Sequence, residues 1–269
     1  MPVPTLRSLA AALSAAACLW STAALAVDCG GPFEVWLGTF QREAAAKGIS
    51  PRAIAALNGL APSQQVLSLD RRQGHFAKSF EEFGLPRISQ RIAKAQQMMQ
   101  RHAALLTRIE ERFGVPGAVV IAIWALETDF GVVQGKEPAL RALVTLAHDC
   151  RRTERFQNEL LDALRIIDRG DLTAAEMQGA WAGELGQTQF LPSSYYKYAI
   201  DFDGNGKRDL IRSVPDVLAS TANYLRGYGW QAGQGWTEGS RNYEVLGEWN
   251  KSSVYRKTIS AFASRLAGG

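Results

Sequence analysis

Residues 117–131 read GAVVIAIWALETDFG, an almost wholly apolar run that ends near an acidic residue, Glu127. Apolar side chains on more than one helical face predict a helix at the centre of the fold. Burying a charged carboxylate without a partner is costly, so Glu127 either pairs with a cation or keeps its proton. A protonated carboxyl group in a cleft is what a general acid requires. The residues alone leave a catalytic acid and a structural ion pair with a buried arginine equally open.

A second carboxylate beside Glu127 would be expected in most enzymes that hydrolyse glycosidic bonds. Asp129 lies only two positions further on, and residues two apart on a helix do not face each other. Asp149 and Asp168 fall at predicted helix ends or on the surface. We therefore interpret Asp129 as a structural residue at the end of the helix. The pattern favours single-acid chemistry, in which the substrate supplies its own nucleophile.

Helical spacing of apolar residues continues through nearly the whole chain. Ser50 followed by Pro51 marks a helix start, and Gly59 and Gly114 mark helix ends. Strand signals are few, namely NYEVLGEW at 242–249 and a hairpin around DFDGNGKRDLI at 201–211. The spacing predicts a mainly α protein, with helices over residues 33–48, 50–59, 89–113, 116–131, 138–148, 153–169, 173–179, 193–199, 213–227 and 252–266.

The first 26 residues have the features of a signal peptide. Arg7 supplies the positive charge, LAAALSAAACLW at 9–20 is a short apolar run, and Ala24-Leu25-Ala26 fits a signal-peptidase site. No later run is long enough to span a membrane. We expect an exported, periplasmic protein that forms one domain over residues 27–269, with no separate C-terminal binding domain.

Charge and composition are those of an ordinary globular protein. The chain of 269 residues is 46% hydrophobic and 21% charged, with a net charge of +4. The Lys and Arg residues do not gather into a basic stripe, which argues against nucleic acid as a partner.

Two cysteines are expected in the exported protein. Cys18 leaves with the signal peptide, so Cys29 and Cys150 remain in an oxidising compartment. We predict a disulfide between them that ties the N-terminus to the core, with two separate buried thiols as the alternative. Their wide spacing is poorly suited to a metal site.

Four ordered motifs resemble the membrane-bound lytic murein transglycosylase B family, whose members are lysozyme-like enzymes that cleave peptidoglycan. The motifs are IWALETDFG (123–131), CRRTERF (150–156), WAGELGQTQFLPSSYYKYAIDFDGNG (181–206) and ANYLRGYGW (222–230). The resemblance covers residues 33–265. It implies a lysozyme-like catalytic core with an extra α-helical lobe and a small loop or β insertion resembling an EF-hand.

The resemblance places Glu127 at the single catalytic position of the family. There it would protonate the oxygen of the β-1,4 bond that joins N-acetylmuramic acid to N-acetylglucosamine. The substrate N-acetyl group would stabilise C1, and Glu127 would then act as a base on the muramyl C6 hydroxyl. The expected product carries a 1,6-anhydro ring, which accounts for the missing second carboxylate.

Further residues match substrate-binding positions of the family. The resemblance implies sugar contacts from the cleft segment, an aromatic wall, and a basic pair suited to lactyl or peptide carboxylates. Tyr224 could instead be plain core, and the basic pair could be a solvated helix start. The implied substrate-binding residues are Gln189, Phe190, Tyr224, Arg151, Arg152, Asn250 and Tyr255.

Two positions depart from the family pattern. Ala180 stands where some relatives have a serine, and Glu184 stands where relatives often have a small residue. Glu184 would be either a harmless exposed carboxylate or a modulator of Glu127, and we do not expect it to be catalytic.

An acidic segment at 199–216 resembles the front of an EF-hand loop, with oxygen ligands at positions 1, 3 and 5 and glycine at position 6. Position 12 is Arg212 instead of glutamate. Two interpretations of this loop remain: it holds a structural calcium ion, or it is an Asx-rich turn that needs no ion. We expect no required cofactor and no catalytic metal, because His75, His102 and His148 are widely separated. The candidate calcium ligands are Asp201, Asp203, Asn205, Lys207 and Asp216.

The function expected from the resemblance is a monomeric, exported peptidoglycan lytic transglycosylase with glycan strands as its partner. A noncatalytic peptidoglycan-binding or scaffold protein, and a lysozyme-like hydrolase, are the alternatives. A noncatalytic protein would be expected to lose Glu127, whereas a hydrolase would need another carboxylate or a positioned water.

Overall fold

The mainly α fold class is confirmed by a computed structural model, which describes Met1, residues 28–72 and residues 78–268. The predicted signal peptide lies outside the described residues, apart from Met1. Within the described residues the chain forms twelve α-helices and one small antiparallel sheet. The helices are α1 Phe33–Ala46, α2 Pro51–Ile54, α3 Gln64–Arg71, α4 Phe80–Arg101, α5 Ala103–Phe113, α6 Gly117–Thr128, α7 Ala139–His148, α8 Thr153–Arg169, α9 Pro192–Tyr198, α10 Val214–Gly227, α11 Arg241–Trp249 and α12 Ser253–Leu266.

Serine caps define many helix starts. The side chain of Ser50 accepts a hydrogen bond from the backbone N–H of Ala53 at the start of α2. At α4, Ser79 and Glu82 form a reciprocal capping box. Such caps satisfy backbone donors that the first helical turn leaves free, which explains why the start at Ser50 could be located from the sequence.

Helix α6 is the central element of the fold, as its apolar sequence predicted. Ten of its twelve residues are buried, and α4, α5, α10 and α12 pack around it. The helix ends at Asp129, which has a left-handed φ of 52°. Lys94 Nζ lies 3.3 Å and Arg91 Nε 3.8 Å from the Asp129 carboxylate. Asp129 is therefore a structural residue at the helix end, as expected.

Several predicted elements differ from the observed ones. The helix predicted over 89–113 begins earlier, at Phe80, and is interrupted at His102. Residues 173–179 form turns and the short strand β2, Gln178–Gly179, which pairs with β1, Glu137–Pro138.

The strand predicted at 242–249 was wrong, because these residues form α11. Ser240 caps this helix, and Asn242, Tyr243, Val245 and Leu246 are buried along it. The hairpin predicted at 201–211 was also wrong, because this segment consists of turns stabilised by Asp side chains.

The predicted disulfide between Cys29 and Cys150 is present, with the two Cα atoms 5.1 Å apart. A nearby hydrogen bond, from Gly30 N–H to the His148 carbonyl at 2.9 Å, holds the same segment against the end of α7. The bond joins positions 121 residues apart in sequence. None of the helices in residues 28–72 and 78–268 is both long and apolar enough to cross a bilayer.

Candidate active site

A cleft of about 720 Å³ opens beside the C-terminal end of α6. Its walls come from four parts of the chain that lie apart in sequence: the end of α6, the first turn of α8, the segment 180–194, and the region around α10 and α11. The fold therefore brings together residues that the sequence motifs presented separately. Predicted site residues that line the cleft are Glu127, Gln189, Phe190, Tyr224 and Asn250.

The carboxyl group of Glu127 is held by two donors. Trp249 donates its indole N–H to Oε1 at 2.8 Å, and the Tyr255 hydroxyl donates to the same oxygen at 2.9 Å. No other hydrogen bond to this carboxyl is made by the described residues. Oε2 is therefore the oxygen left to carry a proton towards the cleft.

Burial is the main reason why the pKa of Glu127 is raised from 4.5 to about 7. The hydrogen bonds from Trp249 and Tyr255 lower the pKa, whereas the negative charge of Glu184 raises it further. The pKa of the Tyr255 hydroxyl is raised well above its ordinary range by burial and by Glu127, which keeps it a donor. A carboxyl with a pKa near neutrality can both donate and accept a proton.

The segment that forms one cleft wall is tied to α6 by Gln187. Trp124 donates its indole N–H to Gln187 Oε1 at 2.9 Å, and the Thr128 hydroxyl donates to the Gln187 carbonyl at 2.5 Å. Gln187 Nε2 donates to the Ile211 carbonyl at 3.0 Å. These bonds fix the wall relative to the helix that carries Glu127.

Gln189 occupies a strained position in this wall, with φ at 53°. Its amide nitrogen donates to the carbonyls of Gln134 at 3.1 Å and Gly186 at 2.9 Å. Because the amide nitrogen is occupied, the side-chain oxygen is the atom that remains for a ligand. Phe190, the next residue, is nearly fully buried.

Four aromatic rings form the floor of the cleft. The Tyr224 ring lies 5.7 Å from Phe190, 5.0 Å from Trp249 and 4.6 Å from Tyr228, between ring centroids. The Tyr224 hydroxyl donates to the Glu248 carbonyl at 2.7 Å. Tyr224 is thus both packed in the core and present in the cleft wall, so the two roles considered from sequence are compatible.

The expected basic pair does not line the cleft. Arg151 donates from Nε to the buried carboxylate of Asp70 on α3 at 2.6 Å, and Arg152 also contacts Asp70. Burial alone would raise the pKa of Asp70, but the two guanidinium groups hold it below its usual range. Both arginines precede α8, whereas Arg155, in its first turn, does line the cleft.

Trp249 is a further cleft residue that was not predicted from the sequence, whereas Glu184 was predicted to be an exposed carboxylate or a modulator of Glu127. Trp249 directly precedes Asn250 in GEWNKSS, but a strand was predicted there, so its indole N–H was overlooked. Glu184 is a fixed part of the wall: its Oε2 accepts the Ala182 N–H at 3.1 Å. Ala180 lines the cleft beside it.

The acidic loop brings three carboxylates together. Ligand atoms of Asp201, Asp203 and Asp216 lie within 4.8 Å of one another, a donor set suited to a hard cation. Asp216 Oδ1 already accepts the Phe202 N–H at 2.7 Å. Asn205 Oδ1 accepts the Lys207 N–H at 2.9 Å.

Position 12 of this loop weakens its fit to calcium. Arg212 donates to Asp209 at 2.6 Å and Glu176 at 2.8 Å, so a cation stands where the bidentate glutamate of an EF-hand would be. The residues present fit a weak calcium site.

Solved structures of similar fold include SltB3 from Pseudomonas aeruginosa in complex with NAG-anhNAM-pentapeptide. That chain is 31% identical, with a TM-score of 0.83, over 89% of this chain and 80% of the other. A calcium complex of the lytic transglycosylase Slt35 from Escherichia coli is 23% identical, with a TM-score of 0.73, over 90% of this chain and 96% of the other. These likenesses confirm the expected fold class.

A relative in sequence is the membrane-bound lytic murein transglycosylase B of Escherichia coli strain K12, 39% identical over 129 residues. The match covers 48% of this chain and spans 36% of the length of that protein. The model of the family described as the transglycosylase SLT domain matches residues 32–239, more than half of the chain. The chain therefore belongs to the transglycosylase SLT domain family.

Proposed function

We propose that this protein is a peptidoglycan lytic transglycosylase that cleaves the β-1,4 bond between MurNAc and GlcNAc and leaves a 1,6-anhydro-MurNAc end. The observation that carries the proposal is the carboxyl of Glu127, which has a pKa raised to about 7 by burial and lies in the cleft with Oε1 held by two donors. Family membership and the peptidoglycan fragment bound by the relative SltB3 support the same substrate class.

In the first step, Oε2 of Glu127 gives its proton to the glycosidic oxygen as the bond to C1 breaks. The N-acetyl group of the substrate stabilises the positive charge at C1. In the second step, the Glu127 carboxylate removes the proton from the muramyl C6 hydroxyl, whose oxygen closes onto C1. The proton given in the first step is recovered in the second, so no water is consumed.

The remaining predicted cleft residues would position the sugars. We propose that Gln189, Phe190, Tyr224 and Asn250 contact the glycan, with the rings providing apolar faces for sugar stacking. Tyr255 would act through Glu127, to which it donates. Arg155 replaces Arg151 and Arg152 as the proposed contact for lactyl or peptide carboxylates, because it lines the cleft.

A lysozyme-like hydrolase is the second candidate, since Glu184 is another carboxylate in the same cleft. Hydrolysis would need a base that activates water. We favour the anhydro product because Glu184 already has one oxygen engaged by the Ala182 N–H.

Mass spectrometry of digested peptidoglycan tests the proposal. Purified wild-type protein should release fragments with anhydro ends, and Glu127→Gln should release none. Glu111→Gln, which removes an exposed carboxylate on α5, is the matched control and should behave as the wild type. Ordinary reducing ends would identify a hydrolase, and binding without cleavage would identify a noncatalytic binder.

We further propose that the protein is exported to the periplasm by a signal peptide over residues 1–26, and that residues 27–269 act as one catalytic domain. We also propose a weak structural calcium site in the 199–216 loop. Its support is the convergence of three carboxylates, together with the calcium complex of the structurally similar Slt35.

A further inference from the structure

The cleft contains a second carboxylate, Glu184, that the proposed mechanism does not use. Two hydrogen bonds fix this residue: Ala182 N–H donates to its Oε2, and Ala180 N–H donates to its carbonyl, both at 3.1 Å. The next residue, Leu185, is joined to Phe190 by a pair of backbone hydrogen bonds of 2.7 and 2.9 Å. The Glu184 carboxylate therefore has a defined place in the wall that faces Glu127.

The two carboxylates influence each other across the cleft. Like charges in a partly buried site repel, so ionisation of one disfavours ionisation of the other. Burial contributes most to the raised pKa of Glu127, and Glu184 is the charged side chain of the described residues that adds most to it. Burial raises the pKa of Glu184 above its usual value, and backbone hydrogen bonds together with the charges of Arg155 and Arg152 offset only part of this rise.

Arg155 is a further charged side chain at this cleft. It is exposed, lines the cleft, and makes no ion pair within 4.0 Å in the part of the chain that the structure describes. Arg152, by contrast, is bound to Asp70.

Other charged or titratable groups near the two carboxylates have partners of their own. Lys251 and Glu248 at the cleft edge pair at 2.5 Å. The groups that face Glu127 directly or through Tyr255 are Trp249 at the end of α11, Tyr255 on α12, and Arg87 and Arg91 on α4.

We propose that Glu184 is a positioning residue for the reaction: its negative charge in the cleft keeps Glu127 in the protonated form that the first step requires. This inference rests on the proposed function. It assigns a role to the carboxylate that departs from the family pattern, and it does not require Glu184 to touch the sugar.

The pH dependence of kcat/KM tests the inference. Glu184→Gln keeps the oxygen that accepts the Ala182 N–H but removes the charge, so Glu127 should ionise at lower pH. The ratio of kcat/KM at about pH 7.5 to that at about pH 5.5 should fall roughly two- to threefold. Glu184→Asp should restore the wild-type profile, and Arg165→Gln, on α8, is the charge control outside the cleft.

A ¹³C NMR titration of labelled glutamate carboxyls, with the Glu127 signal assigned by its loss in Glu127→Gln, gives a readout without substrate. The Glu127 midpoint should move down in Glu184→Gln and stay unchanged in Arg165→Gln. An unchanged midpoint in Glu184→Gln, or an equal shift in Arg165→Gln, would overturn the inference. If the midpoint moves as expected but wild-type protein releases no anhydro products, the proposed function fails and the charge coupling stands.

Discussion

At the scale of single residues, Glu127 should lower stability while serving catalysis. Burial raises its pKa from 4.5 to about 7, so between these values the folded state holds a proton that the unfolded state has lost. The free energy of unfolding therefore falls as the pH rises from 4.5 to about 7. Below this window Glu127 does not lower the free energy of unfolding, and above it the loss is complete.

Glu127→Gln should consequently stabilise the protein at neutral and alkaline pH. Glutamine keeps an oxygen for Trp249 and Tyr255 and carries no charge. We expect a gain of about 1–3 kcal/mol at about pH 8 and almost none at about pH 4, measured by urea unfolding. An equal gain in the free energy of unfolding at both pH values would mean that the gain does not come from removing the ionisation of Glu127.

Substitution of either donor to Glu127 Oε1 should change the pH–rate profile. Tyr255→Phe and Trp249→Phe each remove one hydrogen bond that lowers the pKa of Glu127, so the alkaline limb of the pH–rate profile should move to higher pH. Loss of orientation should also reduce kcat roughly tenfold in each variant. Tyr196→Phe, at an exposed tyrosine, is the control. A fall in kcat without movement of the limb would mean that the donors only hold the carboxyl in place.

At the scale of elements, the cleft wall depends on a close approach at Gly179 on β2. A Cβ atom there would lie 1.7 Å from the carbonyl oxygen of Glu184, which is backbone and cannot swing away. Gly179→Ala should therefore displace the 180–190 segment, reduce kcat/KM at least about tenfold and cost about 1–3 kcal/mol.

Gly235→Ala is a matched control for this substitution. No atom lies within 4 Å of a Cβ at Gly235, and its backbone is not left-handed. Its activity and its unfolding midpoint should stay close to those of the wild type. Full activity of Gly179→Ala would show that the wall tolerates movement, which is incompatible with the fixed place assigned to Glu184.

Helices that begin with a local cap could be predicted from the sequence, whereas elements that depend on packing could not. Helix starts at Ser50 and Ser252 were predictable because capping is a local interaction. The region of α11 was mistaken for a strand because Tyr, Val and Trp favour strands, whereas its burial against the helical core decides the outcome.

Glu127 was predictable as a site residue because its charge interrupts an apolar helix. The position of Arg155 in the cleft, in place of Arg151 and Arg152, was not predictable. It depends on where α8 begins and on the buried partner Asp70. The hydrogen bond from Trp249 joins positions 122 residues apart, and no local pattern reports such a contact.

At the scale of the whole molecule, calcium binding by the 199–216 loop should stabilise the entire fold through mass action. Asp216 belongs both to the loop and to the first turn of α10, which packs on α6, so an ion held there would resist unfolding of the core. With dissociation in the range of about 10⁻⁴–10⁻³ M, millimolar calcium should raise Tm by about 2–4 °C.

Differential scanning fluorimetry after removal of divalent ions measures this shift, with magnesium at equal concentration as the ion control. Asp203→Asn should abolish the response to calcium, because it removes one of the three converging carboxylates. Activity on peptidoglycan should persist without calcium, since Glu127 and its two donors lie outside the loop. A Tm that calcium leaves unchanged would contradict the calcium site, in keeping with Arg212 at position 12, which pairs with Asp209 and Glu176.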